Sequence, residues 1–333
     1  MNSAKFRVMA FRCLIAASVW FVPSIQAESA ELATKRLKIF VLAGQSNMVG
    51  HARAHTIATL AASDDPRDRE LLDLVFQSGK KPSQNHLNEM LELGRSLDQM
   101  TGGVSMDKLG AVEPGPKKES LEKKVDELKQ RHDLYKKSMI DGCVTSDRVY
   151  IASIAGRNIR SGKLGVGFGN DEIKIGPEYG FGLPVARQVD GPILLIKASW
   201  GGKSINYDFR PPSAEPYQLS EKEQAGDKAE QIRSDAGKYY RLMMEHIDEV
   251  VGDLSKHHPL YEAEAGHEFC GFVWFQGFND QFREDFRENY KCNMVRFIQD
   301  VRKDCGAPEM PFVIGVLGTG VTEEKVAENE VSL

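Results

Sequence analysis

Five short runs of almost unbroken apolar sequence, each closing on or near a glycine-containing turn, constrain this chain more than any other feature. They lie at residues 38–43, 149–152, 193–198, 271–275 and 311–316. A run that is apolar at nearly every position has no polar side to offer water, so it reads as a strand buried on both faces. Polar or helical stretches such as 239–254 separate the runs and are long enough to serve as crossovers. The pattern predicts an α/β class: a three-layer α/β/α sandwich around a central parallel sheet. At 333 residues the chain can bury a sizeable core. Its 43 Lys+Arg against 48 Asp+Glu leave a net charge of -5, which offers no bulk attraction to nucleic acid or to an anionic membrane.

The N-terminus departs from this rhythm. Lys5, Arg7 and Arg12 precede an apolar run over residues 13–22 that breaks at Pro23, with Ala27 at a small-residue edge. A membrane span needs about 20 apolar residues, and this run has about half that length, as in a secretory signal. Residues 1–27 are therefore expected to be a signal peptide and 28–333 the mature domain, periplasmic or secreted, with no membrane association after cleavage. An exported chain permits disulfides, but Cys143, Cys270, Cys292 and Cys305 show no C-x-x-C spacing. Free thiols or one structural disulfide are expected, and no metal.

A second departure covers residues 60–141, which are polar, lysine-rich and broken by Gly102-Gly103 and Pro114-Gly115-Pro116. Leu121, Val125, Leu128 and Leu134 recur there at roughly helical spacing. The segment is expected to be a solvated helical insertion packed on the domain edge.

Open α/β sheets place their ligands where strands end, and three strand ends here carry chemistry. Gly44-Gln45-Ser46-Asn47-Met48 follows the first run directly, which puts Ser46 in a strand-to-helix turn beside backbone N–H donors. Ser46 is the candidate nucleophile, or else a simple helix cap. Gln45 and Asn47 bracket it with amides. The second turn, Ala198-Ser199-Trp200-Gly201-Gly202, offers a Gly201 or Gly202 N–H to an oxyanion, while Trp200 lines a pocket or fills the core. The third, Trp274-Phe275-Gln276-Gly277-Phe278-Asn279-Asp280, clusters Gln276, Asn279 and Asp280 at one strand end. A side-chain amide there could meet a developing oxyanion. The Gly165 to Gly169 run, GVGFG, lacks the full dinucleotide spacing and a preceding buried strand, so it reads as a flexible loop near the site and no cofactor is expected.

These three turns, in this order, resemble the nucleophile, second and third blocks of the SGNH-hydrolase superfamily. Within it they are similar to the sialate O-acetylesterase-like branch, related to carbohydrate esterase family six. The resemblance runs from about residue 38 to 318, outside the 60–141 insertion, and implies a flavodoxin-like sandwich and a serine esterase. It implies Ser46 as nucleophile and an oxyanion hole from the Ser46 N–H, a Gly201 or Gly202 N–H and the Asn279 side chain, with Gln276 a second candidate. Gln45, Asn47, Trp200 and Asp280 would then face substrate, an O-acetylated carbohydrate. Two departures stand out. Phe278 occupies a position where the branch usually has Glu, and the branch's C-terminal Asp-x-x-His, the source of the general base and its carboxylate, has no counterpart.

His51 and His55 stand four residues apart after Ser46, on what is expected to be one helix, but they are read as ordinary histidines. No general base is identified. The C-terminal part is accordingly expected to be incomplete, and the chain inactive or nearly so, because a serine hydroxyl is a poor nucleophile until a base takes its proton. A glycan-binding protein without chemistry, and an esterase or thioesterase for another acyl group, are the alternatives on the same fold.

Overall fold

The computed structural model describes residues 32, 34–101 and 116–316. The expected signal peptide and the last 17 residues lie outside this set. From the N-terminal side the chain forms β1 (Leu37–Gly44), α1 (Ser46–Val49), β2 (Ala52–Arg53), a 3₁₀ helix (Ala54–Ala62), α2 (Pro66–Val75), α3 (Gln84–Thr101) and α4 (Pro116–Gly142). Then come β3 (Val149–Ala155), β4 (Asn158–Lys163), β5 (Lys174–Ile175), α5 (Pro177–Gln188) and β6 (Ile193–Ser199). The final part holds α6 (Glu221–Gln224), α7 (Ala229–Asp235), α8 (Lys238–Gly252), α9 (Leu254–His257), β7 (His267–Phe275), a 3₁₀ turn (Asp280–Phe282), α10 (Glu284–Asp304) and β8 (Phe312–Ile314).

Every apolar run became a strand of one sheet, ordered β4-β3-β6-β1-β7-β8. All neighbours pair in parallel except the β3–β4 hairpin, so the sheet is mostly parallel, as the continuous apolar runs required. Side chains alternate faces along each strand. Ile39, Val41, Leu194, Ile196, Phe272 and Trp274 meet α8 and α10 on one side through Tyr240, Met243 and Phe297. On the other side Phe40, Leu42, Ile151, Ile193 and Leu195 meet helices that precede β6. The chain thus covers one face before β6 and the other after it, and β1, between β6 and β7, lies where the winding reverses.

The 60–141 segment corrects an expectation. Leu72, Val75, Leu87, Met90 and Met139 are buried in the same cluster as Ile151 and Leu195, so this segment supplies much of one helical layer instead of a solvated appendage. The helical phase of α4 also differs from the leucine pattern. Val125, His132 and Met139 are buried, whereas Leu134 is 72% exposed. The leucines alone mislead because the buried stripe of this helix is completed by a histidine and a methionine. Cys143, Cys270, Cys292 and Cys305 are all free thiols. Among the described residues no helix is long and apolar enough to cross a membrane.

Candidate active site

Strand register brings the three turns together. Gly44 at the end of β1 pairs with Ser199 of β6 on one side and with Phe275 of β7 on the other. All three chains therefore leave the sheet at the same height. Backbone hydrogen bonds lace the exits: the Trp200 N–H donates to the Gly44 carbonyl (3.1 Å) and the Gln45 N–H to the Phe275 carbonyl (3.2 Å). Gly44 has φ +154, and a Cβ there would lie 2.2 Å from the Phe275 carbonyl oxygen. Only glycine fits this approach.

Ser46 opens the single turn of α1. Gln45, not Ser46, holds the N-cap position, and no side chain caps the helix. The capping role for Ser46 is therefore removed. The N–H groups of the first turn have no intrahelical acceptor, and no hydrogen bond engages the Ser46 hydroxyl among the described residues. A Cβ on Gly201 would stand 3.9 Å from Ser46 Cβ, and one on Gly202 3.9 Å from Asn279 Nδ2. Gly201 and Gly202 are exposed, Ser46 and Asn279 partly so. The four residues lie together on one accessible patch, and among the described residues the Asn279 side-chain amide makes no hydrogen bond. Asn47 is exposed beside them, open to a ligand.

The other expected site residues fall behind this patch. Gln276 is buried, and its Nε2 donates to the Lys203 carbonyl (2.8 Å) and to Asp280 Oδ2 (2.5 Å), so its amide hydrogens are committed inward. Asp280 is buried too and accepts from the Ile205 N–H (3.1 Å) and the Asn206 N–H (3.1 Å). It ties the third turn to the second. Burial pushes its carboxyl up to about 6 against the lowering pull of Gln276 and those N–H groups. Gln45 is buried, and its Oε1 accepts from the Asn279 N–H (3.4 Å), which aligns Asn279 from beneath. Trp200 packs in the core on Tyr239 and Phe209, with 7% of its surface exposed. Gln45, Gln276, Asp280 and Trp200 thus shape the patch without lining it, because each is drawn inward by a buried partner or by the core.

One pair escaped the sequence reading altogether. Lys197, in the apolar run of β6, forms a fully buried ion pair with Glu178 of α5 at 2.6 Å. Lys197 Nζ also donates to the carbonyls of Val49 (2.9 Å) and Phe168 (2.8 Å). The Gly176 N–H donates to Glu178 Oε1 at 2.7 Å. Burial holds the Lys197 amine below the usual lysine range, with Glu178 pulling it back up. The pair clamps the end of α1 through Val49. It also anchors the 165–169 loop, which is further fixed by the Asn170 N–H donating to the Gly50 carbonyl (2.8 Å). That loop is fastened against the site by these bonds and is not the free segment expected. The signal was present as a lone lysine inside an otherwise buried strand.

All eight histidines are among the described residues. His51 follows the end of α1 and lines the same cleft as Ser46, with Asn47, Gly176 and Phe275. It does not share a helix with His55, since α1 ends at Val49 and β2 intervenes. His55 is instead half-buried against His132, ring centroids 4.6 Å apart, and burial lowers its imidazole to about 4. His86 packs on Tyr135, and His257 meets Ser161. His258 meets the Arg148 carbonyl just before β3, and His267 begins β7 opposite Leu37, both at the far end of the strands from Ser46. Among the described residues, no group of three or more His, Cys, Asp or Glu is placed to hold a metal ion.

The profile of the family described as "Carbohydrate esterase, sialic acid-specific acetylesterase" matches residues 164–332, just over half of the chain. The chain belongs to this family. As a member of a carbohydrate esterase family it is, by that kinship, a carboxylic ester hydrolase, and the family implies an O-acetylated carbohydrate as the class of substrate. The match contains Gly201, Gly202 and Asn279 but begins after Ser46, so the place of Ser46 rests on the geometry above.

Two solved structures resemble this family member more distantly. A protein of Arabidopsis thaliana, solved at 1.6 Å, is 14% identical with a TM-score of 0.40, covering 88% of this chain and 79% of that one. A carbohydrate acetylesterase from Xanthomonas citri is 10% identical with a TM-score of 0.35, covering 83% of this chain and 40% of that one. The chain thus spans less than half the length of the latter. No curated protein matches the sequence significantly.

Proposed function

We propose that this chain is an exported serine esterase that releases acetate from O-acetylated carbohydrate. The observation that carries the reading is the convergence of an unbonded Ser46 hydroxyl with Gly201, Gly202 and the free Asn279 amide at one end of β1. In this scheme Ser46 Oγ attacks the ester carbonyl carbon, and the carbonyl electron pair moves onto oxygen. The Ser46 N–H, a Gly201 or Gly202 N–H and Asn279 Nδ2 donate to that oxyanion. Collapse breaks the bond to the sugar oxygen, which leaves carrying the proton given up by Ser46 Oγ. Water then attacks the acetyl-serine, its hydroxyl going to the acyl carbon and its other proton back to Ser46 Oγ, and acetate is released. Cleavage after Ala27, read by N-terminal sequencing of the secreted protein, is the outcome expected for export.

Among the described residues His51 is the imidazole that shares the Ser46 cleft, and no hydrogen bond joins the two. Without a base, an oxyanion hole and binding retain about 10³–10⁴ over water. Ser46→Ala, which removes the nucleophile and leaves the oxyanion donors and binding in place, is expected to fall to that residual level. If His51→Gln lowers the rate as far as Ser46→Ala does, His51 is the base; if it changes nothing, turnover proceeds without an imidazole. The same missing bond favours a second reading, a glycan-binding protein without chemistry. Binding of an acetylated glycan with no acetate release, and no difference between the wild type and Ser46→Ala, would establish it. A rate that rises with acyl length beyond acetyl would overturn the acetate assignment.

A further inference from the structure

Phe278 and Phe282 are 50% and 67% exposed, and their rings meet edge to face with centroids 5.1 Å apart at 80°. Neither belongs to the two clusters that form the core. Folding therefore gains little from either ring, and the paired rings leave apolar surface available for contact. Its position is specific. Phe278 immediately precedes Asn279, and Phe282 closes the 3₁₀ turn that begins at Asp280.

The backbone carrying the two rings is held from below. Asp280 accepts from the Ile205 and Asn206 N–H groups, and the Asn279 N–H donates to Gln45 Oε1. The rings are thus presented on a fixed turn that also carries Asn279, so contact with a ligand would not require ordering that turn first.

We infer that Phe278 and Phe282 form a stacking platform for the pyranose ring of the ester's alcohol half. The inference rests on the esterase reading above and adds a recognition element to it. With the carbonyl oxygen at Asn279, the two-carbon acetyl group is too small to cover both rings. The alcohol half must extend beyond the patch. A pyranose presents a face of C–H bonds that can lie on an aromatic ring, while its hydroxyls point sideways to water.

The test uses the full chain with an acetylated methyl pyranoside and with ethyl acetate, which has no ring. Phe278→Ala/Phe282→Ala is expected to lower the ratio of kcat/KM for the pyranoside over ethyl acetate by about tenfold, through KM. Phe278→Trp/Phe282→Trp is expected to restore the ratio. Both rings are exposed, so an unchanged thermal midpoint serves as the control for folding. A ratio within about twofold of wild type overturns the platform.

If wild type hydrolyses neither ester, the esterase reading fails, and saturation-transfer NMR on the same pyranoside decides the platform independently. Transfer to the axial ring protons that is lost in the alanine double variant supports it. Transfer that is unchanged, or confined to the acetyl methyl, overturns it.

Discussion

Two buried polar clusters flank the short helix that carries Ser46, and they follow different rules. On one side Lys197 and Glu178 use nearly all their capacity: three acceptors surround Lys197 Nζ, and both Glu178 oxygens accept. On the other side the Gln45–Gln276–Asp280 cluster leaves Gln45 Nε2 and Gln276 Oε1 buried with no hydrogen-bond partner among the described residues. A saturated buried pair leaves little freedom to rearrange, whereas an incompletely bonded one keeps polar capacity beside the reacting patch. The first cluster is scaffold, and the second lies directly beneath the donors that a reaction would use.

The sharpest way to break this contrast is Lys197→Met. It should cost about 3–5 kcal/mol in urea unfolding, because Glu178 is left charged and buried. Adding Glu178→Gln should return most of that loss; a single variant that unfolds like wild type would remove the scaffold role. Next in size, Asn279→Ala should lower kcat by about 10²–10³. Its thermal midpoint should hardly move, since the side chain is partly exposed and carries no hydrogen bond. A large stability loss there would mean that Asn279 belongs with the structural residues.

The third test turns on the Asp280 carboxyl, raised from 3.8 to about 6 by burial. Between those values the folded state holds more protons than the unfolded one, so stability falls as pH rises, by up to about 3 kcal/mol. Asp280→Asn has no such titration. Its deficit relative to wild type should therefore be largest near pH 4 and shrink toward pH 7. A deficit that grows with pH would show that the bonds from Ile205, Asn206 and Gln276 outweigh burial.

Much of this fold was legible in the sequence because buried parallel strands admit so few polar residues. Residues 38–43, 193–198 and 271–275 all became central strands, and their ends lie side by side in the sheet. The 60–141 segment was less legible: its buried stripe keeps Val125 but continues through His132 and Met139 and skips Leu134, so the leucine spacing followed it only in part. Residue type also gave no guide to direction at the site. Asn279 and Gln276 carry the same amide, yet one is free at the surface and the other is committed to Lys203 and Asp280.

The sequence by itself determined the α/β class, the strand-end turns and the residue types available at them, since these follow from local apolar patterning and glycine conformation. Only the tertiary structure decided which amides face outward, which lysine is buried and which histidine shares the cleft with Ser46. Those outcomes depend on parallel register between strands far apart in the chain. That register aligns Gly44 with both Ser199 and Phe275 and lets burial select a partner for each polar group.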